Sequence, residues 1–360
     1  MKKTILLLSS KAITLNNFFD VIISNKKYNF ILGCSDPENL KFKNLKVKLF
    51  LDFKLIKIIN PLFFFSNLIK NFFILKKLKY DYLIINTPLA ALYFRIIGYL
   101  LKKKYIYIVH GFRFHQSERS VKSIFFKTYE KLFSIITSHY IILNKEDLKV
   151  ILNNFNKPKE NILRIPSIGI SYKKLIKIKT KKKDINFNIG IISAYRDNKG
   201  YPDLIKIATK LQKNKINIKF HCYGYDNKER YSQKIKRLKL NNIILNNYSK
   251  NIHDKIKYFD LVCHLSRREG MPISLLETIT IGVPVIAYDI RGNKDIIINN
   301  FNGILVKPYD VGDFENKLIK LYKNSKKLKL LKKNCKKSIK RYHDKKNIAS
   351  MISNFIDNVK

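Results

Sequence analysis

A chain of 360 residues is too long for one small core and suits two domains of ordinary size, and its 46% of hydrophobic residues can bury both cores. The formal net charge of +46, from 72 basic against 26 acidic side chains, would by itself point to nucleic acid. Its distribution argues against that reading: the lysines run the whole length beside abundant Ile, Asn, Phe and Tyr, with no Trp and no interleaved basic and aromatic recognition motif. Such a composition fits drift toward A/T-rich codons, with most lysines on solvated faces. A surface this basic is still drawn to anionic lipid headgroups, each nearby Lys adding roughly 1 kcal/mol before screening.

From the start, short apolar runs alternate with helix-length segments, the runs falling at 5–8, 30–32, 47–51, 82–85, 105–109 and 140–143. Alternation of this kind predicts parallel strands joined by crossover helices. The run at 5–8 follows Met1-Lys2-Lys3 and lacks a small-residue cleavage site, so it reads as a first strand and not as a signal peptide. Asn60 and Pro61 are suited to the N-cap and first position of a helix whose aromatic stretch, 62–75, is too short and too interrupted to cross a bilayer. It reads as a heavily buried helix, with an interfacial membrane helix as the alternative. The lysine-rich, aperiodic residues 171–185 read as a linker between a first domain over 1–170 and a second over 186–340.

The second domain repeats the pattern, with strands at 189–193, 219–223, 242–245, 261–264, 284–288 and 303–306. Helices fit at 202–213, 226–238, 251–258, 272–281 and 313–324, and residues 335–360 read as one or two lysine-rich helices. A last helix over 341–360 is expected to pack back toward the first domain. The fold class is therefore α/β, two Rossmann-like parallel-sheet domains with the carboxyl ends of both sheets around a central cleft, where such sheets bind ligands. Cys34, Cys222, Cys263 and Cys335 show neither pairing nor metal-ligand spacing, so they read as reduced thiols of a cytoplasmic protein.

The most informative segment runs from Glu269 through Gly270, Met271 and Pro272 to Leu275 and Glu277. Pro272 suits the first turn of a helix and Gly282 with Pro284 stops it, so Glu277 lies inside the helix and Glu269 just before it. The unpaired N–H groups of the first turn favour an anion, and the two carboxylates accept hydrogen bonds from hydroxyls. Alone, two acids with seven residues between them are commonplace. Here they sit in Asp260-Leu261-Val262-Cys263-His264-Leu265-Ser266-Arg267-Arg268-Glu269-Gly270-Met271-Pro272, followed by Gly282-Val283-Pro284, Arg291-Gly292-Asn293 and Asn302-Gly303.

That pattern strongly resembles the donor-site signature of family 4 glycosyltransferases, retaining enzymes of the GT-B fold that use nucleotide-sugars. Val109-His110-Gly111-Phe112-Arg113-Phe114-His115, with Ile142-Leu143-Asn144-Lys145-Glu146-Asp147, resembles the first half of the members that assemble bacterial surface polysaccharides. The resemblance implies that Glu269 contacts hydroxyls of the transferred sugar and Glu277 holds the ribose. Backbone amides near Gly270, Met271 and Leu275 would seat the sugar and diphosphate. Lys199 would neutralise the departing diphosphate, and His110 would lie beside the reacting sugar. No protein nucleophile, metal or other cofactor is implied. Ala194 stands where the family carries arginine, so Arg196 becomes the substitute phosphate ligand, and His115 reads either as an acceptor contact or as a surface residue.

The resulting expectation is a hexosyl- or N-acetylhexosaminyltransferase using a nucleotide-sugar, UDP-linked, with a saccharide or lipid-linked saccharide as acceptor. It would be cytoplasmic, or peripheral on an anionic membrane surface, without a nucleic-acid partner. Two alternatives stay open: an epimerase acting on UDP-N-acetylglucosamine within the same architecture, and, from charge alone, a protein that binds polyanions or nucleic acid.

Overall fold

The computed structural model describes residues 2–23, 27–42, 48–50, 61–114, 120–181 and 186–359. Its contacts divide the chain into two compact units, Met1–Gly169 with Lys345–Lys360, and Ile170–Asp344. The expected N-cap Asn60, the segment 182–185 and His115 lie outside the described residues.

In unit 1 the strands are β1 (Thr4–Leu8), β2 (Asn29–Cys34), β3 (Lys48–Phe50), β4 (Tyr82–Ile85), β5 (Tyr105–Val109), β6 (His139–Ile142) and β7 (Ile162–Arg164). All pair in parallel in the order β3-β2-β1-β4-β5-β6-β7, with Leu6 facing Ile31 on one side and Leu83 on the other. Helices cover both faces, so the central strands are apolar at nearly every position instead of alternating. The helices are α1 (Ala12–Ile23), α2 (Pro61–Lys76), α3 (Pro88–Leu100), α4 (Val121–Ser134) and α5 (Lys145–Asn154).

Unit 2 begins with α6 (Tyr172–Leu175) and continues with β8 (Phe187–Ile192), α7 (Tyr201–Lys213), β9 (Ile218–Tyr223), α8 (Lys228–Arg237) and β10 (Ile243–Asn246). Then come α9 (His253–Ile256), β11 (Leu261–His264), α10 (Ile273–Ile281), β12 (Val285–Tyr288), α11 (Asn293–Ile296) and β13 (Gly303–Val306). Two long helices, α12 (Val311–Lys323) and α13 (Ser325–Ser338), close the unit. The strand order is β10-β9-β8-β11-β12-β13, all parallel, so the winding reverses between β8 and β11. Ligands of open parallel sheets bind outside the carboxyl ends of the strands at such a reversal.

Helix α14 (Lys345–Asn358) belongs to unit 1 and packs on α1, with the Tyr28 hydroxyl donating to Asp357 Oδ1 at 2.8 Å.

Three expectations need correction. Residues 171–185 are not a plain linker, because Tyr172–Leu175 forms a helical turn that packs on α10 with Leu175 fully buried. The helix at 272–281 starts at Ile273, with Pro272 as its N-cap in extended backbone. The aromatic helix α2 is not heavily buried: Phe65, Ile69 and Phe73 are 58, 57 and 55% exposed, while Asn67 and Asn71 face inward. Those asparagines are tolerated because each donates to the helix backbone, Asn67 to Phe63 O at 3.0 Å and Asn71 to Asn67 O at 2.8 Å.

Candidate active site

In unit 2 the chain leaves β11 at His264 and turns through Ser266 and Glu269 into α10, while β8 leads through Ala194 to a tight turn at Asp197–Lys199. Two contacts fix these loops to each other. The Arg267 N–H donates to Asn198 O at 2.9 Å, and Gly200, at φ 84°, lies so close to Leu265 that a Cβ there would fall 2.2 Å from its carbonyl oxygen. Only glycine meets both conditions at once, a left-handed backbone and no room for a side chain. The turn thereby sets Lys199 against Glu269.

Lys199 Nζ donates to Glu269 Oε1 at 2.6 Å, and His264 Nε2 lies 3.1 Å from the same oxygen. An ionised carboxylate only accepts, so Nε2 carries the ring proton there. The Glu269 side chain is 13% exposed. Burial pushes its pKa up, but the hydrogen bond and charge of His264 and the Lys199 ammonium outweigh burial and hold the carboxyl at about 2. Glu269 is therefore an anion at neutral pH, held in place with lone pairs left for further donors. His264, only 5% exposed, carries no signal in the sequence beyond being the one polar residue of an apolar strand.

Behind Glu269, Gly292 at φ 82° packs against Gly270, where a Cβ would meet the Gly270 carbonyl oxygen at 2.6 Å. Arg291 Nε donates to Glu269 O at 3.4 Å. Leu275 is buried and its N–H donates to Pro272 O at 3.1 Å, so of the first-turn amides those of Ile273 and Ser274 are the ones helix geometry leaves for a ligand. Met271 packs partly into the core beneath the loop. Glu277, one turn into α10, lies 3.2 Å from His253 Nε2 with its side chain 22% exposed. The buried hydroxyls of Ser193, at the end of β8, and Ser266 have no hydrogen-bond partner. The Arg196 guanidinium, 53% exposed, pairs with Asp226 at 2.5 Å. Arg267 is likewise engaged, donating to both Asp203 oxygens at 3.1 and 3.0 Å.

A cavity of about 480 Å³ lined by Phe187, Asp260 and Lys332 lies at the other end of the strands, away from this constellation. Its one acid is already paired, Asp260 with Lys332 at 3.2 Å.

In unit 1, His110 stands just past the carboxyl end of β5, its Nε2 against Asn86 Oδ1 and its ring edge-on to Phe18 at 5.7 Å. Burial lowers its pKa to about 4, so the imidazole is neutral at neutral pH. Asn86 is fully buried, and its Nδ2 has no partner. Ser9 and Thr14 complete this polar edge, Ser9 Oγ donating to Asn86 O at 3.0 Å and lying 2.9 Å from Thr14 Oγ1. Within 142–147, part of the segment quoted with His110, the work of Asn144 and Asp147 is structural. Asn144 caps α5 by accepting from the Asp147 N–H at 2.8 Å and donates to the Asp147 carboxylate at 2.7 Å.

Residues 173–338 match the family model described as glycosyl transferases group 1. In sequence the chain is similar to the poly(ribitol-phosphate) alpha-N-acetylglucosaminyltransferase of Staphylococcus aureus, 30% identical over 189 residues. That alignment takes in 51% of this chain and 36% of the relative, so the chain spans little more than a third of that protein. It is similar over 88% of its length to the UDP-Gal:alpha-D-GlcNAc-diphosphoundecaprenol alpha-1,3-galactosyltransferase of Escherichia coli, at 23% identity and 86% of that protein. In structure it is similar to Anabaena HepE in complex with UDP and glucose, with a TM-score of 0.75, 18% identity and 99% of each chain covered. At that identity the likeness is one of fold, the two-unit α/β architecture called GT-B.

Proposed function

We propose that this chain, whose residues 173–338 match the glycosyl transferases group 1 model, is a glycosyltransferase that moves a hexose or N-acetylhexosamine from a UDP-sugar to a saccharide or lipid-linked saccharide. The transfer proceeds with retention at the anomeric carbon, in the manner of family 4, and belongs to the assembly of a cell-surface polysaccharide. The donor and acceptor classes follow the printed activity of the E. coli relative, which names UDP-Gal and a diphosphoundecaprenol-linked sugar, and the UDP held by the structural neighbour.

The observation that carries the proposal is the ionised Glu269 beside Lys199 at the start of α10. An anion kept ready to accept hydrogen bonds suits sugar hydroxyls. The lysine and the Ile273 and Ser274 amides suit the diphosphate, and their fixed positive field stabilises the charge that develops as it leaves. Glu277 accepts from the ribose hydroxyls, and the orphan hydroxyls of Ser193 and Ser266 add hydrogen-bonding capacity beneath the donor. In the reaction the bond from the anomeric carbon to the phosphate oxygen breaks with its electron pair leaving on the nucleotide. The acceptor oxygen bonds to the same face of that carbon, and its proton passes to the departing phosphate. His110, neutral, offers hydrogen bonding but no charge. In this reading the lysine and helix amides meet the diphosphate without a metal ion.

Release of UDP from a panel of UDP-sugars tests the proposal. Glu269→Ala should lower kcat/KM by about 10²-fold or more. Release that is unchanged in this variant overturns it.

A further inference from the structure

Unit 1 carries a surface that its own fold leaves uncovered. Helices α2 and α4 lie on either side of α3 over the same sheet face: Phe64 stacks on Tyr93 at 4.8 Å, and Arg95 of α3 pairs with Glu130 of α4 at 2.9 Å. On α2 the usual arrangement is reversed, since Asn67 and Asn71 are buried while Phe65, Ile69 and Phe73 are more than half exposed. Along α4, Ile124, Phe125, Leu132 and Ile135 are 55, 65, 62 and 74% exposed at helical spacing. A helix that hides amides and shows phenylalanines has its apolar medium on the outside.

Charge identifies the medium. Helix α2 contains no acidic residue, and the only one of α4, Glu130, is buried with Arg95. Exposed lysines share the outer faces, Lys70 and Lys76 on α2, Lys127 and Lys131 on α4. A second copy of a chain carrying +46 would bring like charges together, whereas an anionic surface is attracted by them. No helix among the described residues is long and apolar enough to cross a membrane. We propose that the outer faces of α2 and α4 form a lipid-docking surface, lying in the plane of an anionic bilayer with the aromatic and aliphatic side chains at acyl depth and the lysine ammoniums among the headgroups. Both helices start at the sheet edge where His110 stands, so the bound bilayer borders that polar edge. The inference does not depend on which sugar is transferred.

The test is co-sedimentation of the full chain with vesicles of phosphatidylcholine alone or mixed with phosphatidylglycerol, at about 0.1 M salt, where charge is screened beyond about 10 Å. Binding is expected only with phosphatidylglycerol. Phe65→Ser with Phe73→Ser, and separately Ile124→Ser with Phe125→Ser, should each weaken it by about ten-fold or more, with the thermal transition unmoved because the side chains are exposed. Binding that depends on phosphatidylglycerol but is indifferent to both double variants would assign it to scattered lysines and overturn the proposal. So would absence of vesicle binding, with or without a concentration-dependent dimer that the same variants dissociate.

Discussion

Replacing Glu269 by Gln keeps the side-chain shape and removes the charge to which Lys199 and His264 both point, at 2.6 and 3.1 Å. The carboxyl is held at about 2 against an ordinary 4.5, which means that the folded surroundings favour its charged form by about 3 kcal/mol. Because the folded value is the lower one, this stabilisation is complete above about pH 4.5 and is lost as the pH falls toward 2. Glutamine stands in for the protonated acid. Wild type should therefore exceed E269Q by about 3 kcal/mol at neutral pH, and the gap should narrow below about pH 4.5. Urea unfolding of the two full chains, in steps from neutral to about pH 3, measures it. A gap below about 1 kcal/mol at neutral pH, or one that does not change with pH, would refute the electrostatic account of the site.

His110 gives a second pH test. Burial lowers its pKa to about 4 from an ordinary 6.5, so any stability it contributes is complete above about pH 6.5 and erodes as the pH falls toward 4. The rate profile should show no limb near pH 6.5 from this residue; a limb there that vanishes in His110→Gln would mean the ring titrates in the open. In the core of unit 1, Arg95→Met strands the buried Glu130 carboxylate and should cost about 3–5 kcal/mol in urea unfolding. Adding Glu130→Leu should restore most of it, and failure to do so would show that the pair is more than a matched charge.

Much of this could be read from residue order. Apolar runs bounded by polar segments located nearly all the strands because parallel strands covered on both faces need continuous apolar sequence. Pro272 and Gly282 marked α10 within one residue, since one cannot donate and the other closes the helix in left-handed backbone at φ 105°. What escaped were interactions between residues remote in sequence. Nothing local to His264 announces that Glu269 curls back onto it, and Asn198 with Gly200 lies some seventy positions from the loop it braces. Nor does the sequence around Arg196 show that Asp226, thirty residues on, is its ion-pair partner. Helix α2 misled because its composition suggests burial, while the side facing in is decided by where Asn67 and Asn71 fall in the helical period.

The placement of α14 bears on the order in which the protein can be made. Unit 2 is one unbroken stretch, Ile170–Asp344, whereas unit 1 needs Lys345–Lys360 to cover α1. Domains emerging from a ribosome generally complete themselves from the amino end. Here the first 169 residues wait, with the α1 side of their sheet lacking its outer helix, while the following 175 are synthesised and can close on their own. A nascent chain of this protein should therefore hold a finished second unit and an unfinished first one, and the last turn of α14 to emerge would be the step that seals both Tyr28 and the earlier half of the molecule.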